Sequence, residues 1–346
     1  MLARAALSLR SLGAARLVIA GFLLLIFILA GIKGLPIPML ISNSLTRAGM
    51  NGLLVLAMVP SIQAGLGMNF GLPVGVICGL LGLVLAFEWN LIGFAGFFVA
   101  LFIGCVVGTV VGYVYGNLLN RVKGQEMMVG TYAGFSIVAG MCMFWVMAPF
   151  HNPKMIFVVG GQGLRVTFAI DENFGHVLDN LFRLKAGGFE IPLGLLGFFA
   201  MACLLMWVFL RTPRGIAMRV AGSNPAFAAA CGIDVDKARL MGSILSTVLG
   251  AAGIVVYAQS LGFIQLYTAP LMMAFPAVAS VLIGGASTQY ATVLHAVVGV
   301  LLFQALLTTS LPVAQTLIQG DMSEVARIII SNGMILYALT RGRNGS

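Results

Sequence analysis

Apolar runs separated by short polar or basic breaks follow one another along almost the whole chain. A helix of about 20 apolar residues crosses about 30 Å of hydrocarbon, and Gly or Pro inside it is tolerated where neighbouring helices satisfy the freed backbone groups. Read this way, the pattern predicts ten spans, at 17–32, 48–66, 70–87, 91–117, 127–149, 191–210, 240–258, 268–286, 291–310 and 324–340. The first follows Arg4, Arg10 and Arg16 like a secretory leader, but Gly31-Ile32-Lys33-Gly34 offers no small-x-small cleavage site, so it is read as a membrane helix. The expected fold class is all-α: a polytopic membrane helix bundle of about ten helices, forming a single domain over residues 1–346. Two hydrophilic stretches, 150–190 and 211–239, interrupt the pattern.

Composition agrees, since 60% hydrophobic and 8% charged residues leave too little charged surface for a water-soluble chain of this length. The net charge of +9 then becomes a question of orientation. One side of the membrane collects the N-terminal arginines, Arg121, Lys123, Arg211, Arg214, Arg219, Lys237, Arg239, Arg341 and Arg343. The other side holds Lys33, Arg47, Lys154, Arg165, Arg183 and Lys185 with most of the acids. The positive-inside rule makes the first side cytoplasmic, so both termini are expected there. Residues 211–239 become a cytoplasmic loop and 150–190 an extracytoplasmic one. No basic run interleaved with aromatics points to nucleic acid.

Catalytic chemistry finds little support in the residues. The five cysteines, Cys78, Cys105, Cys142, Cys203 and Cys231, are scattered singly without metal-ligand spacing and read as packing residues. His295 is an isolated titratable group within a span, read as a neutral packing residue set against a functional one. The stretch VVGGQGLRV lacks the Lys-Ser/Thr of a phosphate loop, and no Gly-x-x-x-x-Gly-Lys-Ser/Thr occurs anywhere. The chain is therefore not expected to bind ATP, and no nucleophile, base and acid stand together as in a hydrolase.

Polar side chains inside spans must pair or face water. Asn51, Gln63, Asn69, Gln304 and Asn332 are the candidates for a solute path, with interhelical hydrogen bonding as the alternative for each. Asn69 stands out because Gly65, Gly67, Gly71 and Pro73 surround it and predict unwound backbone. All five are uncharged, which favours a neutral polar solute such as a sugar or nucleoside. Gly108, Gly112 and Gly116 predict close helix packing, and an inverted repeat between helices 2–5 and 7–10 is conceivable. An ion-coupled secondary transporter, the competing class, should carry a mid-span acid, whereas Glu88, Glu126 and Glu324 fall at span ends.

The stretch VAGSNPAFAAACGID contains a complete short helix signal: Asn224 as N-cap, Pro225 at the first position, alanines, and Gly232 as the left-handed stop. A helix of about two turns is marginal in water, so something must hold it, either a groove on another protein or the lipid headgroups.

The surrounding segment, LRTPRGIAMRVAGSNPAFAAACGIDVDKARL (Leu210 to Leu240), resembles the cytoplasmic loop of permease subunits of bacterial ABC importers for ribose, galactose and related sugars. That family also includes nucleoside and branched-chain amino acid permeases. The shared features are Arg211-Thr212 with Gly215, Arg219 followed by Gly222 and Asn224, and Gly232-Ile233. VASVLIGGAS (Val278 to Ser287), GYVYGNLLNRVKGQEMMVGT (Gly112 to Thr131) and GLGMNFGLPVG (Gly65 to Gly75) are similar to further family motifs, so the likeness spans nearly the whole chain. Pro73 and Met68-Asn69-Phe70 depart from the sugar-type pattern and leave the substrate class open.

The resemblance implies a permease subunit in a bacterial cytoplasmic membrane, working by alternating access. A separate ATPase subunit would carry ATP and Mg, a periplasmic or lipid-anchored binding protein would deliver the solute, and a second permease, the same or homologous, would complete the path. It also implies that Arg211, Arg214, Arg219, Ser223, Asn224, Pro225, Ala226, Phe227, Ala228, Gly232 and Ile233 form the coupling element that docks on the ATPase. A monosaccharide is the expected solute, with a nucleoside as the alternative.

Overall fold

The computed structural model describes residues 14–157, 163–186 and 188–317, together with Val325, Ile328, Ile329, Asn332 and Gly333. Both termini, Gly160-Gly161-Gln162 and most of the expected span 324–340 lie outside the described residues.

The apolar pattern folds into helices that traverse the bundle in alternate directions. Helix α1 is Ala14–Ile32, and α2 is Ile37–Leu56, which continues through Ala57 into α3, Met58–Gln63. Pro60 has no N–H for the Leu56 carbonyl four residues back, which accounts for the division between them. Next come α4 (Leu72–Glu88), α5 (Gly93–Arg121) and α6 (Glu126–Met147). A folded cap follows, with β1 (Thr167–Ala169), α7 (Val177–Asn180), β2 (Arg183–Ala186) and β3 (Phe189–Pro192). Beyond it lie α8 (Leu193–Arg211), α9 (Pro213–Ser223), α10 (Pro225–Ala230) and α11 (Val235–Leu261). Strand β4 (Phe263–Gln265), a 3-10 turn at Ala269–Met273, α12 (Ala274–Ile283) and α13 (Val293–Leu317) complete the described chain.

Among the described residues, six helical runs are long and apolar enough to cross a membrane: Ile37–Gln63, Gly93–Arg121, Glu126–Met147, Leu193–Arg211, Val235–Leu261 and Val293–Thr316. Three shorter apolar ones, Val18–Ile32, Leu72–Glu88 and Ala269–Ile283, pack among them. The protein is thus a polytopic helical bundle. The all-α expectation needs one correction, because β1 pairs antiparallel with β4 and β2 with β3, forming two small ladders at one end. Two helices also start earlier than the expected spans: α2 begins at Ile37 rather than 48 and includes Arg47, and α11 begins at Val235 rather than 240 and includes Arg239.

Helix α2–α3 is central, with 78% of its most apolar window buried, whereas α6 is peripheral with 17%. Around that centre the contacts depend on small residues. On α5, Ala100, Gly104, Gly108, Gly112 and Gly116 recur every fourth residue and share one buried face. The opposite face exposes Phe98, Phe102, Val106, Val110 and Val114. A Cβ on Gly112 would lie 3.0 Å from Thr247 Cβ, and one on Gly79 of α4 would lie 2.3 Å from the Ala251 carbonyl, so α5 and α4 approach α11 backbone to backbone.

Two helix ends share one pattern. Helix α3 ends at Gly65 (φ 76°), the chain breaks, and Pro73 starts α4; α11 ends at Gly262 (φ 81°), the chain breaks, and Pro270 opens the 3-10 turn. Gly65 packs against Gly222 of α9, but Gly262 packs against Asp171 in the cap. The two breaks therefore sit at opposite ends of the bundle, the relation expected of an inverted repeat.

Candidate functional site

The short helix predicted from the sequence is present as α10. Asn224 Oδ1 accepts from the Phe227 amide at 3.0 Å, Pro225 occupies the first turn, and Gly232 adopts φ 79°. The Ile233 amide donates to Ala228 O at 2.9 Å and the Gly232 amide to Ala229 O at 3.0 Å, closing the C-terminus as a Schellman motif. The rest of the segment 211–239 is more ordered than a loop. Thr212 ends α8 and caps α9 at once, its hydroxyl accepting from the Gly215 amide at 3.3 Å, and Asp234 caps α11 by accepting from the Lys237 amide at 3.0 Å. That hydrogen bond holds the Asp234 carboxyl below the usual carboxylate range.

Two contacts fasten α10 to the bundle. Ala228, fully buried, packs with Ala221 and Ala238, while Phe227 on the other side is 57% exposed. One step further in, α9 touches the end of α3 through backbone alone: a Cβ on Gly222 would fall 2.1 Å from Gln63 O and 2.7 Å from Gly65 N. Arg211 stacks over Trp207, 3.6 Å from the ring centroid, and Arg214 and Arg219 are exposed. Ser223 donates to Val220 O at 3.2 Å, and Pro225 and Ala226 are exposed beside Phe227. The coupling residues named from the sequence are thus brought to one surface, with Ala228 as the buried anchor.

Beneath that surface lies a polar group the sequence reading missed. Arg239, 8% exposed, is ion-paired with Glu126 at the start of α6, and its Nε donates to Asn120 Oδ1 at 3.1 Å on α5. Nη1 donates to Gly65 O at 3.4 Å. Asn120 Nδ2 in turn donates to Asp236 O at 2.9 Å, and Lys123 pairs with Asp236 at 2.6 Å. One guanidinium therefore joins α11, α5, α6 and the break after α3. The available signal was an acid and a base near helix starts, but 113 residues separate them.

The five path candidates are dispersed. Asn69 is buried, its Oδ1 accepting from Tyr115 OH at 3.0 Å and its Nδ2 donating to Ser246 Oγ at 2.8 Å, which itself donates to Ala57 O at 2.7 Å. This is the geometry of an interhelical tie. Gln63 Nε2 donates to Ala291 O at 2.6 Å, linking α3 to the turn before α13, and its Oε1 is buried without a hydrogen-bond partner among the described residues. Asn51 Nδ2 donates to Arg47 O at 3.0 Å within α2. Gln304 is buried on α13, and Asn332 is exposed.

Open space lies elsewhere. At the cap end, a cavity of about 660 Å³ is bounded by Asn43 and Thr46 of α2, His176, Asp179 and Glu190 of the cap, and Ser260 of α11. A second, of about 730 Å³, adjoins it through Asn43, Thr46 and Ser260 and reaches Arg47, Met50 and Thr308. Asp179 accepts from Ser260 Oγ at 2.7 Å, and Glu190 is held by Arg183 and Lys185, whose charges keep its carboxyl below the usual range. None of the five named candidates lines these two cavities. At the α10 end, Gln63, Arg219 and Tyr290 border a cavity of about 250 Å³.

A family model described as "Branched-chain amino acid transport system / permease component" matches residues 40–339. No curated protein and no solved structure matches the chain.

Proposed function

Because the chain belongs to the family of permease components of branched-chain amino acid transport systems, we propose that it is the membrane-spanning subunit of an ATP-driven importer for a small polar solute. Membership makes it a multi-pass membrane protein and a transport subunit. The finer reading adds about ten spans, both termini and α10 on the cytoplasmic side of a bacterial inner membrane, and the cap outside. Its partners are a separate ATPase, a solute-binding protein and a second permease. The alternation of basic and acidic segments supports the orientation.

The observation that carries this reading is the build of α10. A capped helix presents Phe227 outward and is anchored inward through Ala228 and through the Gly222 contact with Gln63 and Gly65. A push on such a helix reaches the α3 break without soft side chains in between. The break carries Arg239 and, a few residues on, the Asn69 tie to α5 and α11. ATP-driven closure of two ATPase subunits would thus tilt the central helices and expose the path to the other side.

Two experiments test this. Phe227→Asp should abolish co-purification of a Walker-motif ATPase and its solute-stimulated hydrolysis while membrane insertion stays normal; unchanged coupling would refute the reading. A thiol engineered at position 227 should resist, and one at Lys185 should accept, an impermeant reagent added to intact cells, and the reverse pattern would overturn the orientation. The ion-coupled alternative gains nothing, since the acids of the described spans, Glu88, Glu126 and Asp236, lie at helix ends. The lining of the larger cap-end cavity adds one cation, Arg47, to the uncharged side chains on which a neutral solute was expected.

A further inference from the structure

Arg47 is a cation in an unusual place. It lies ten residues into the 27-residue apolar run Ile37–Gln63, about 15 Å along the helix from its start. It is exposed and has no ion pair among the described residues. An unpaired guanidinium on an apolar helix is tolerated where it faces water or an anion, and Arg47 faces the 730 Å³ cavity between α2, α11 and α13.

The groups around it define what that anion must be. No carboxylate lines this cavity, and the acids of the adjoining one are already engaged: Asp179 by Ser260 and His176, Glu190 by Arg183 and Lys185. Three hydroxyls border the cavity beside Arg47, but their hydrogens are committed: Thr46 donates to Ser42 O, Ser260 to Asp179, and Thr308 to Gln304 O. They therefore offer only lone pairs, and Arg47, with the Asn43 amide, supplies the donors. We infer that the cavity beside Arg47 receives a solute with one carboxylate, recognised by the guanidinium, whose remaining N–H or O–H groups donate to the Thr46, Ser260 and Thr308 oxygens. A phosphate dianion fits less well, since one guanidinium would leave a charge uncompensated next to the Leu261, Leu307 and Pro312 wall.

This deepens the permease reading and treats the cavity as part of its path, but its test needs no ATPase. The purified full chain in lipid nanodiscs is treated with phenylglyoxal, and modification of each arginine is followed by peptide mass spectrometry. Two matched pairs serve as probes: D-glucuronate against D-glucose, and 2-hydroxyisobutyrate against its amide. Arg47 should react, and the carboxylate of at least one pair should protect it at about a tenfold lower concentration than the neutral partner. Exposed Arg214, on the coupling side, should be unaffected by any probe. Three results would overturn the inference: an Arg47 that stays unmodified while Arg214 reacts, protection no better by either carboxylate than by its neutral partner, or full protection in the assembled importer before any probe is added. The last would mean that another chain supplies the counter-charge. Unchanged ATPase coupling in the Phe227→Asp variant would defeat the transport reading without altering any of these outcomes.

Discussion

At the coupling end, α9 meets the terminus of α3 backbone to backbone, and the cavity beside it is about 250 Å³; the cap end carries two adjoining cavities of about 660 and 730 Å³. The polar groups differ in the same way. Arg239 is buried and fully engaged by Glu126, Asn120 and Gly65, whereas Arg47, the arginine of the other central helix, is exposed and faces open space. Two arginines in apolar helices therefore do different work. The engaged one locks segments together so that a displacement is transmitted, and the open one is left for something that comes and goes. Under the proposed function, force would enter at the closely packed end and solute at the end with the larger cavities.

The sharpest way to break this contrast is to remove the locked arginine. Arg239→Ala leaves Glu126 without its partner and should destabilise the protein by about 3 kcal/mol, seen as a lower melting temperature in detergent; Arg47→Ala should leave the melting temperature nearly unchanged. Equal losses would mean that the two ends are not built differently. Gly222→Ala comes next, because its Cβ has only backbone to meet. A loss of about 1–3 kcal/mol is expected, with coupled ATPase activity reduced more than in Gly197→Ala, where nothing lies within 4 Å. Asn224→Ala should remove about 1 kcal/mol of local helix stability, measured as faster hydrogen exchange at the Phe227 amide, with solute-stimulated ATPase activity lowered and insertion intact.

The smallest effect is a pH dependence confined to the coupling end. The folded Asp234 carboxyl lies below its unfolded value, so its capping contribution is present above the unfolded value and is lost as pH falls through the folded one. The Lys237 amide should exchange faster, relative to its intrinsic rate, as pH drops below about 4, and Asp234→Asn should flatten that response.

How much of this was legible depended on how local each signal was. Helix α10 could be read from nine consecutive residues, because cap, proline and stop glycine act on the backbone within a turn or two of themselves. The i, i+4 row of small residues on α5 was visible for the same reason, although its partner α11 was not. The start of α2 was missed by eleven residues because Ser42, Asn43, Ser44, Thr46 and Arg47 dilute its first turns below what a hydropathy window accepts. Asn43, Thr46 and Arg47 are polar where the helix borders a cavity. Asn69 was singled out as a path candidate in unwound backbone, but Tyr115 and Ser246, 46 and 177 residues away, engage its amide as an interhelical tie.

The order of apolar runs, the helix ends marked by Pro, Gly and Asn, and the small-residue faces belong to the sequence itself. Hydrocarbon leaves a spanning backbone little choice but to bond within its own helix, so periodicity and caps carry the decision locally. Which polar groups satisfy one another and which remain open to a cavity was settled only by packing. A hydrogen bond or ion pair needs two groups within about 3 Å, and the helices that supply them are brought together by contacts that no single stretch of chain contains.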